Sequence, residues 1–205
     1  MRRAALWLAV LAWLAPAMLG HAAPDRGTDE TAGGTTGQLL VAAPGIGDPR
    51  FAGAVIYMIH HGKDGAFGVA INRPVGEHTI AELLEALGQD GKGVAGKTRI
   101  FSGGPMEPGI GFVIHTSDFH DDHTIAIDNR FSFTSDSKIL RAIGAGKGPK
   151  KSLVAFGYAG WGPGQLEEEL SHNDWYVTPA DATLLFDEDR DAVWQKAYDK
   201  RVLKL

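Results

Sequence analysis

Apolar positions in this chain gather into short continuous runs more often than into helical stripes. Residues 38–43 (QLLVAA), 54–60 (AVIYMIH), 66–72 (AFGVAIN), 110–115 (IGFVIH) and 152–156 (SLVAF) are each bounded by glycine, proline or polar turn residues. Runs of that length between turn signals read as β-strands. Shorter runs at 98–101, 124–127, 130–133 and 175–177 extend the set. The 54–60 and 66–72 runs flank His61-Gly-Lys-Asp-Gly65, a five-residue loop with two glycines that predicts a hairpin. Asn72-Arg73-Pro74 is expected to end its second strand.

Helical periodicity is clearest at 79–87, where Ile80, Leu83, Leu84 and Leu87 share one face. Thr79 with Glu82 three residues on is a capping box, and Gly88 supplies the stop. Further helices are expected over 135–144, capped by Ser135, and over 189–200, with Val193, Trp194, Ala197 and Tyr198 on one side. Thr178-Pro179-Ala180-Asp181 reads as another helix start, with Thr178 as cap and Pro179 at the first position. Strands outnumber helices roughly nine to five and do not alternate with them, so the fold class is α+β.

The stretch 157–170 (GYAGWGPGQLEEEL) joins a buried strand to a helix and is expected to organise the rest. Residues 157–164 read as a glycine-rich turn, with Pro163 at the first helical position. At least one of Gly160 and Gly162, which flank Trp161, is expected to hold a positive φ. A helix start after such a turn can bind phosphate, but Glu167, Glu168 and Glu169 would repel an anion there.

The N-terminus changes the picture of where the protein works. Arg2 and Arg3 precede an apolar stretch, and small residues follow at Gly20 and Ala22, the two positions a signal peptidase reads, which together predict a signal peptide over residues 1–22. The alternative is an uncleaved anchor. Residues 23–37 are polar and rich in Gly, Thr and Asp, as in a flexible linker, and 38–205 form a single domain. The chain has no cysteine, which excludes disulfides and a lipid-modified N-terminus. Cleavage would remove Arg2 and Arg3, moving the net charge from −5 to −7. So acidic a chain suits neither nucleic acid nor an anionic membrane, and after cleavage no membrane association is expected.

Several motifs suggest chemistry. Residues 91–98 (GKGVAGKT) match the phosphate-binding P-loop pattern letter for letter. A P-loop needs a strand before it and a helix after it; here the predicted order is reversed, so the segment reads as a surface loop. His115, His120 and His123 lie among aspartates and are candidate metal ligands, though their spacing fits no established pattern. Ser102, beside Gly103 and Gly104, is a candidate nucleophile if His115 and an aspartate complete a triad. A binding surface makes fewer demands. Asn72, Arg73, Trp161, Gln165, Glu167, Asn173 and Trp175 are aromatic or polar-tipped groups at turns that could form a cleft with an apolar floor. Against that, the tryptophans could fill the core, with Arg73 paired to Glu167 or Asp181.

Taken in order, Gln38-Leu-Leu-Val41, Asp48-Pro-Arg-Phe51, Gly65-Ala-Phe-Gly68, Ile71-Asn-Arg-Pro74 and Gly103-Gly-Pro105 resemble the bacterial YqgE/AlgH family. Gly111-Phe-Val-Ile-His115, Gly157-Tyr-Ala-Gly-Trp-Gly162, Gln165-Leu-Glu167, Asn173-x-Trp175 and Pro179-Ala-Asp181 continue the resemblance. It implies a mixed, bent, partly barrel-like sheet surrounded by helices. It implies no reaction, cofactor or catalytic residue. The family carries a transcriptional-regulator label from one member's role in alginate production, and most relatives look cytoplasmic. The expectation is therefore an exported, periplasmic or secreted, non-catalytic protein that binds an unknown ligand or protein partner, without a cofactor. A hydrolase or metal-dependent enzyme using Ser102 or the three histidines is the alternative, and a transcriptional regulator the weaker one.

Overall fold

In the computed structural model, residues 34–186 and 189–201 are described. The predicted signal segment lies outside them, as does most of the predicted linker. Among the described residues, contacts with the fold already occur before Gln38: Thr35 is buried, and its N–H donates to Nδ1 of His61 at 3.1 Å.

The described residues form ten strands and five α-helices. They are β1 (Gln38–Ala42), β2 (Val55–Gly62), β3 (Gly65–Ala70), β4 (Pro74–Thr79), α1 (Ile80–Ala86), β5 (Lys97–Ser102), β6 (Met106–Thr116), β7 (Thr124–Ala126), β8 (Phe131–Thr134), α2 (Lys138–Gly144), β9 (Ser152–Trp161), α3 (Gln165–Ser171), β10 (Trp175–Pro179), α4 (Ala182–Phe186) and α5 (Val193–Asp199). The strands join in one branched sheet. Its main path runs β10-β1-β2-β3-β9-β6-β8-β7, and β5 leaves it at β9 to carry β4. All described pairings are antiparallel except β5 with β9. The expected α+β fold with a mixed, curled sheet holds.

The branch is made within β9. Its first half, through Phe156, pairs with β5 on one side and β6 on the other; its last residues, Ala159 to Trp161, pair with β3. Side chains in a strand alternate between faces, so odd and even positions should keep their sides. In β9 they exchange. Leu153 and Ala155 join the central core with Leu39, Tyr57, Phe112 and Phe133, while Val154 faces α1 and α2 beside Ile80 and Ile139. Past Gly157 the even residue, Tyr158, packs on the central core, and the odd residues Ala159 and Trp161 pack on a third cluster with Leu40, Ile56 and Leu166.

Gly157 makes the exchange with φ of 76°, in the left-handed region that side chains disfavour. A Cβ there would stand 2.6 Å from the Gly104 carbonyl oxygen, and one on Gly103 would stand 2.2 Å from that of Gly157. The bare backbone of 103–104 therefore lies directly against β9. Gly103 N–H donates to Phe156 O at 2.8 Å and its carbonyl accepts from Ala70 N–H at 2.7 Å, tying β3 to β9 at the branch.

The long apolar runs follow from this layering. In β1, Leu39 and Val41 enter the central core, while Leu40 and Ala42 enter the cluster under α3. Both faces being buried, no polar alternation remains to be seen. Helices α4 and α5 cover the central core with Leu184, Leu185, Val193 and Ala197.

Several local expectations are corrected. Residues 157–161 belong to the strand, not to a turn, and neither Gly160 nor Gly162 has a positive φ. Pro163 precedes the cap of α3, which is Gly164. The hairpin loop is only Lys63-Asp64, because Gly62 still pairs with Gly65. Residues 74–79 are a strand; exposed along most of its length, β4 shows no apolar alternation to read. Helix α2 begins after Ser137 rather than Ser135. Thr178 is a buried strand residue whose hydroxyl donates to Ala197 O at 2.9 Å, and Asp181 accepts the Leu184 N–H instead. The capping box of Thr79 and Glu82 is present as expected.

The branch predicts a stability order among glycines. Gly157→Ala should lose at least about 2 kcal/mol, from the disfavoured φ and the blocked approach of 103–104. Gly162→Ala should stay within about 0.5 kcal/mol, since a Cβ there meets nothing closer than 4.0 Å. Urea denaturation of both variants checks this order; equal midpoints would contradict it.

Candidate functional site

At the end of β9, Trp161 meets α3 and β10. The turn at 162–164 is closed by Gln165, whose N–H donates to Gly162 O and whose Oε1 accepts the Gly162 N–H, both at 3.1 Å. One helical turn later Glu169 lies on the same face, and Gln165 Nε2 donates to Glu169 Oε1 at 2.9 Å. The other carboxylate oxygen accepts both indoles, from Trp161 Nε1 at 2.7 Å and Trp175 Nε1 at 2.8 Å. The two rings meet edge to face with centroids 5.9 Å apart, and Phe51 meets Trp175 likewise at 5.4 Å.

These groups line a cleft of about 310 Å³. Ile46, Pro105, Met106 and Gly160 add apolar wall, and Asp48, Arg50 and Asp174 add charge. Trp161 and Trp175 are 6% and 2% exposed, so they serve the core and the cleft wall together. Arg50 grips both carboxylate oxygens of Asp48, with Nη2 at 2.6 Å from Oδ2, and holds that carboxyl below its usual pKa. Asp174 is set by a Schellman motif at the end of α3: Asn173 N–H donates to Leu170 O and Asp174 N–H to Glu169 O.

Of the seven residues expected to form a binding surface, the cleft brings together Trp161, Gln165 and Trp175. Asn173 is the left-handed residue of the Schellman motif, with φ of 60°. Asn72 serves the backbone, accepting from Val55 N–H and donating to Gly53 O, both at 2.9 Å. Arg73 pairs with neither Glu167 nor Asp181; it donates to the carbonyls of Arg50 and Ala52, bracing the cleft's rim from behind. Glu167 accepts from His61 Nε2 at 3.1 Å, and Asp181 pairs with Lys200 at 2.8 Å. Glu169, Asp48, Arg50, Phe51, Met106 and Asp174 were missed in the sequence. A legible signal existed for Glu169, whose i,i+4 relation to Gln165 puts both on one helical face.

The expected metal and nucleophile candidates are scattered. His115 is fully buried; its Nδ1 donates to Thr116 O at 2.9 Å and its Nε2 accepts from the Thr134 hydroxyl at 3.0 Å. Burial pushes its imidazole pKa down from the ordinary 6.5. His123 pairs with Asp136 at 3.2 Å, and His120 is exposed. Among the described residues, no three His, Asp or Glu side chains come together as a metal site would need. Ser102 and His115 sit on opposite sides of β9, opposite Phe156 and Ser152 respectively. Four residues of strand separate those positions, about 13 Å, too far for a hydrogen-bonded pair. The P-loop-like segment runs from α1 into β5, and its Lys97 faces Glu77 at 3.8 Å on an exposed strand pair.

Fold and cleft together define a single-domain α+β protein built on a branched half-barrel. A family model described as AlgH-like matches residues 39–204, and the chain belongs to that family. A UPF0301 protein of Sphingopyxis alaskensis is 46% identical over 163 residues, covering 80% of this chain and 87% of that one. A UPF0301 protein of Caulobacter vibrioides is 47% identical over 166 residues, with 80% and 85% covered. The solution structure of the AlgH protein from Pseudomonas aeruginosa matches with a TM-score of 0.71 at 35% identity, over 89% of this chain and 92% of that one. A crystal structure of a Corynebacterium diphtheriae protein shares the fold at a TM-score of 0.62 and 23% identity, over 79% and 84%. The family is one of uncharacterised proteins without a defined activity.

Glu169→Ala leaves two indole N–H groups without their acceptor and should cost about 2 kcal/mol in urea denaturation. Glu169→Gln, which keeps a carbonyl acceptor, should lose less. A neutral Glu169→Ala would mean that the indoles do not depend on this carboxylate.

Proposed function

We propose that this protein is exported and acts without catalysis, binding a ligand or protein partner in the cleft between β9, α3 and β10. The observation that carries the reading is the cleft itself, about 310 Å³ walled by Phe51, Met106, Trp161 and Trp175, with a few polar groups at set positions. That size and mixture suit a binding site. The aromatic walls are pre-organised, because each indole is locked by Glu169 and packed on the core. Chemistry through Ser102 or the histidines has less to rest on, since each is separated or engaged in the ways described. Regulation of transcription fits poorly with a net charge that becomes −7 once Arg2 and Arg3 are removed from −5. Export rests on the N-terminal pattern of residues 1–22, with the mature chain beginning near Ala23 in the periplasm or medium.

The test is a small-molecule screen on the ¹⁵N-labelled protein, following the two indole N–H signals, with N-terminal sequencing of the cell-derived chain. Ligands that shift the Trp161 and Trp175 signals and leave unchanged in composition are expected, on a chain starting near Ala23. Binding confined to other surfaces, or turnover of a bound compound, would overturn the binding reading. An intact Met1 on a cytoplasmic chain would overturn export.

A further inference from the structure

The cleft's lining is unbalanced in charge. Its charged residues are Asp48, Arg50, Glu169 and Asp174. Arg50 is consumed by Asp48, with Nε at 3.1 Å from Oδ1 and 3.0 Å from Oδ2 and Nη2 at 2.6 Å from Oδ2. Two negative charges remain. Glu169 is held by three donors, two indoles and one amide, and all three are neutral. They orient the carboxylate without cancelling its charge, and a carboxylate with about four acceptor positions keeps one open. Asp174 has its backbone fixed by the Schellman motif and by the Ala43 N–H, which donates to its carbonyl at 2.9 Å. Among the described residues no arginine, lysine or histidine pairs with either carboxylate.

We propose that this cleft is a subsite for a compact organic cation, an ammonium or guanidinium group carried on an apolar stem. The proposal rests on the binding reading above and names its ligand class. Two independent features select this chemistry. Uncompensated carboxylates attract a positive charge, more strongly beside a partly dry wall than in open water. The half-buried Phe51 ring in the same wall attracts a cation through its quadrupole, and the Arg50 guanidinium already lies 5.9 Å from its centroid. The apolar wall of Ile46, Phe51, Pro105 and Met106 accepts a hydrocarbon stem and disfavours a bare metal ion, which would ask for converging oxygen ligands. An anionic ligand meets repulsion from both carboxylates. The group can come from a free amine or from a basic side chain within a polypeptide, and the chemistry at the cleft is the same.

Titration of the purified protein with agmatine, with N-acetyl-arginine methylamide and with the uncharged N-acetyl-citrulline methylamide tests this, read from the indole N–H signals. One or both cationic probes should bind, and the citrulline probe should bind at least about tenfold more weakly. Agmatine alone would indicate a free amine, and the capped arginine alone a polypeptide side chain. Asp174→Asn, at a carboxylate that makes no hydrogen bond or ion pair with another described side chain, should weaken cation binding about threefold or more without moving the denaturation midpoint. Citrulline binding as tightly as arginine, Asp174→Asn without effect, or no cationic probe binding at millimolar concentration would overturn the proposal. A neutral or anionic compound that shifts the same indoles would overturn only the choice of cation. If compounds of no charge class shift them, the binding reading falls as well.

Discussion

Everything in this fold passes through one close approach of backbones. Gly103 and Gly104 lie against Gly157 and Tyr158 with no room for a Cβ between them. Because Gly157 takes a left-handed φ of 76°, β9 turns its odd positions from one core to another in mid-strand. One strand can then serve two sheet branches. A regular strand would carry Trp161 to the opposite face and leave the cluster under α3 without one of its two tryptophans.

The cleft is a consequence of that exchange. Once past Gly157, β9 delivers Trp161 to the outer face, where α3 supplies Glu169 and β10 supplies Trp175. Hydrogen bonding and packing pull together here. Leu166 and Ala159 hold the hydrocarbon side of the rings, and Glu169 fixes their polar edges. The aromatic wall therefore belongs to the core and to the surface at once. The same economy appears behind the rim, where Arg73 ties the carbonyls of Arg50 and Ala52 and so steadies the segment that carries Asp48 and Phe51.

How much of this the sequence disclosed depends on whether the governing contact was local. The strands at 38–42 and 55–62 and the Thr79–Glu82 capping box were legible because apolar runs, turn residues and caps act within a few positions. The AlgH-like family was legible from many short motifs in order. β4 was not: it is held by pairing with β5 and buries little of its own surface. The glycine stretch was recognised as central but its role was misplaced, because Gly157 is required by residues some fifty positions earlier. Within the site, Trp161, Gln165 and Trp175 were found, whereas Asp48 and Asp174 enter only through the way the chain folds back. Asn72 and Arg73 looked like ligand groups; their partners are distant backbone carbonyls and amides that no spacing rule reveals.

If the Gly157 crossing is the constraint that holds the branches together, its amides should be the last to open. Native-state hydrogen exchange followed by NMR reads this directly. The account predicts that the amides of Gly103 and Ala70, which bond Phe156 O and Gly103 O at the branch, exchange only with global unfolding, as slowly as the centre of β2. Exchange of those amides through a local opening, at low denaturant and while β2 stays protected, would contradict it.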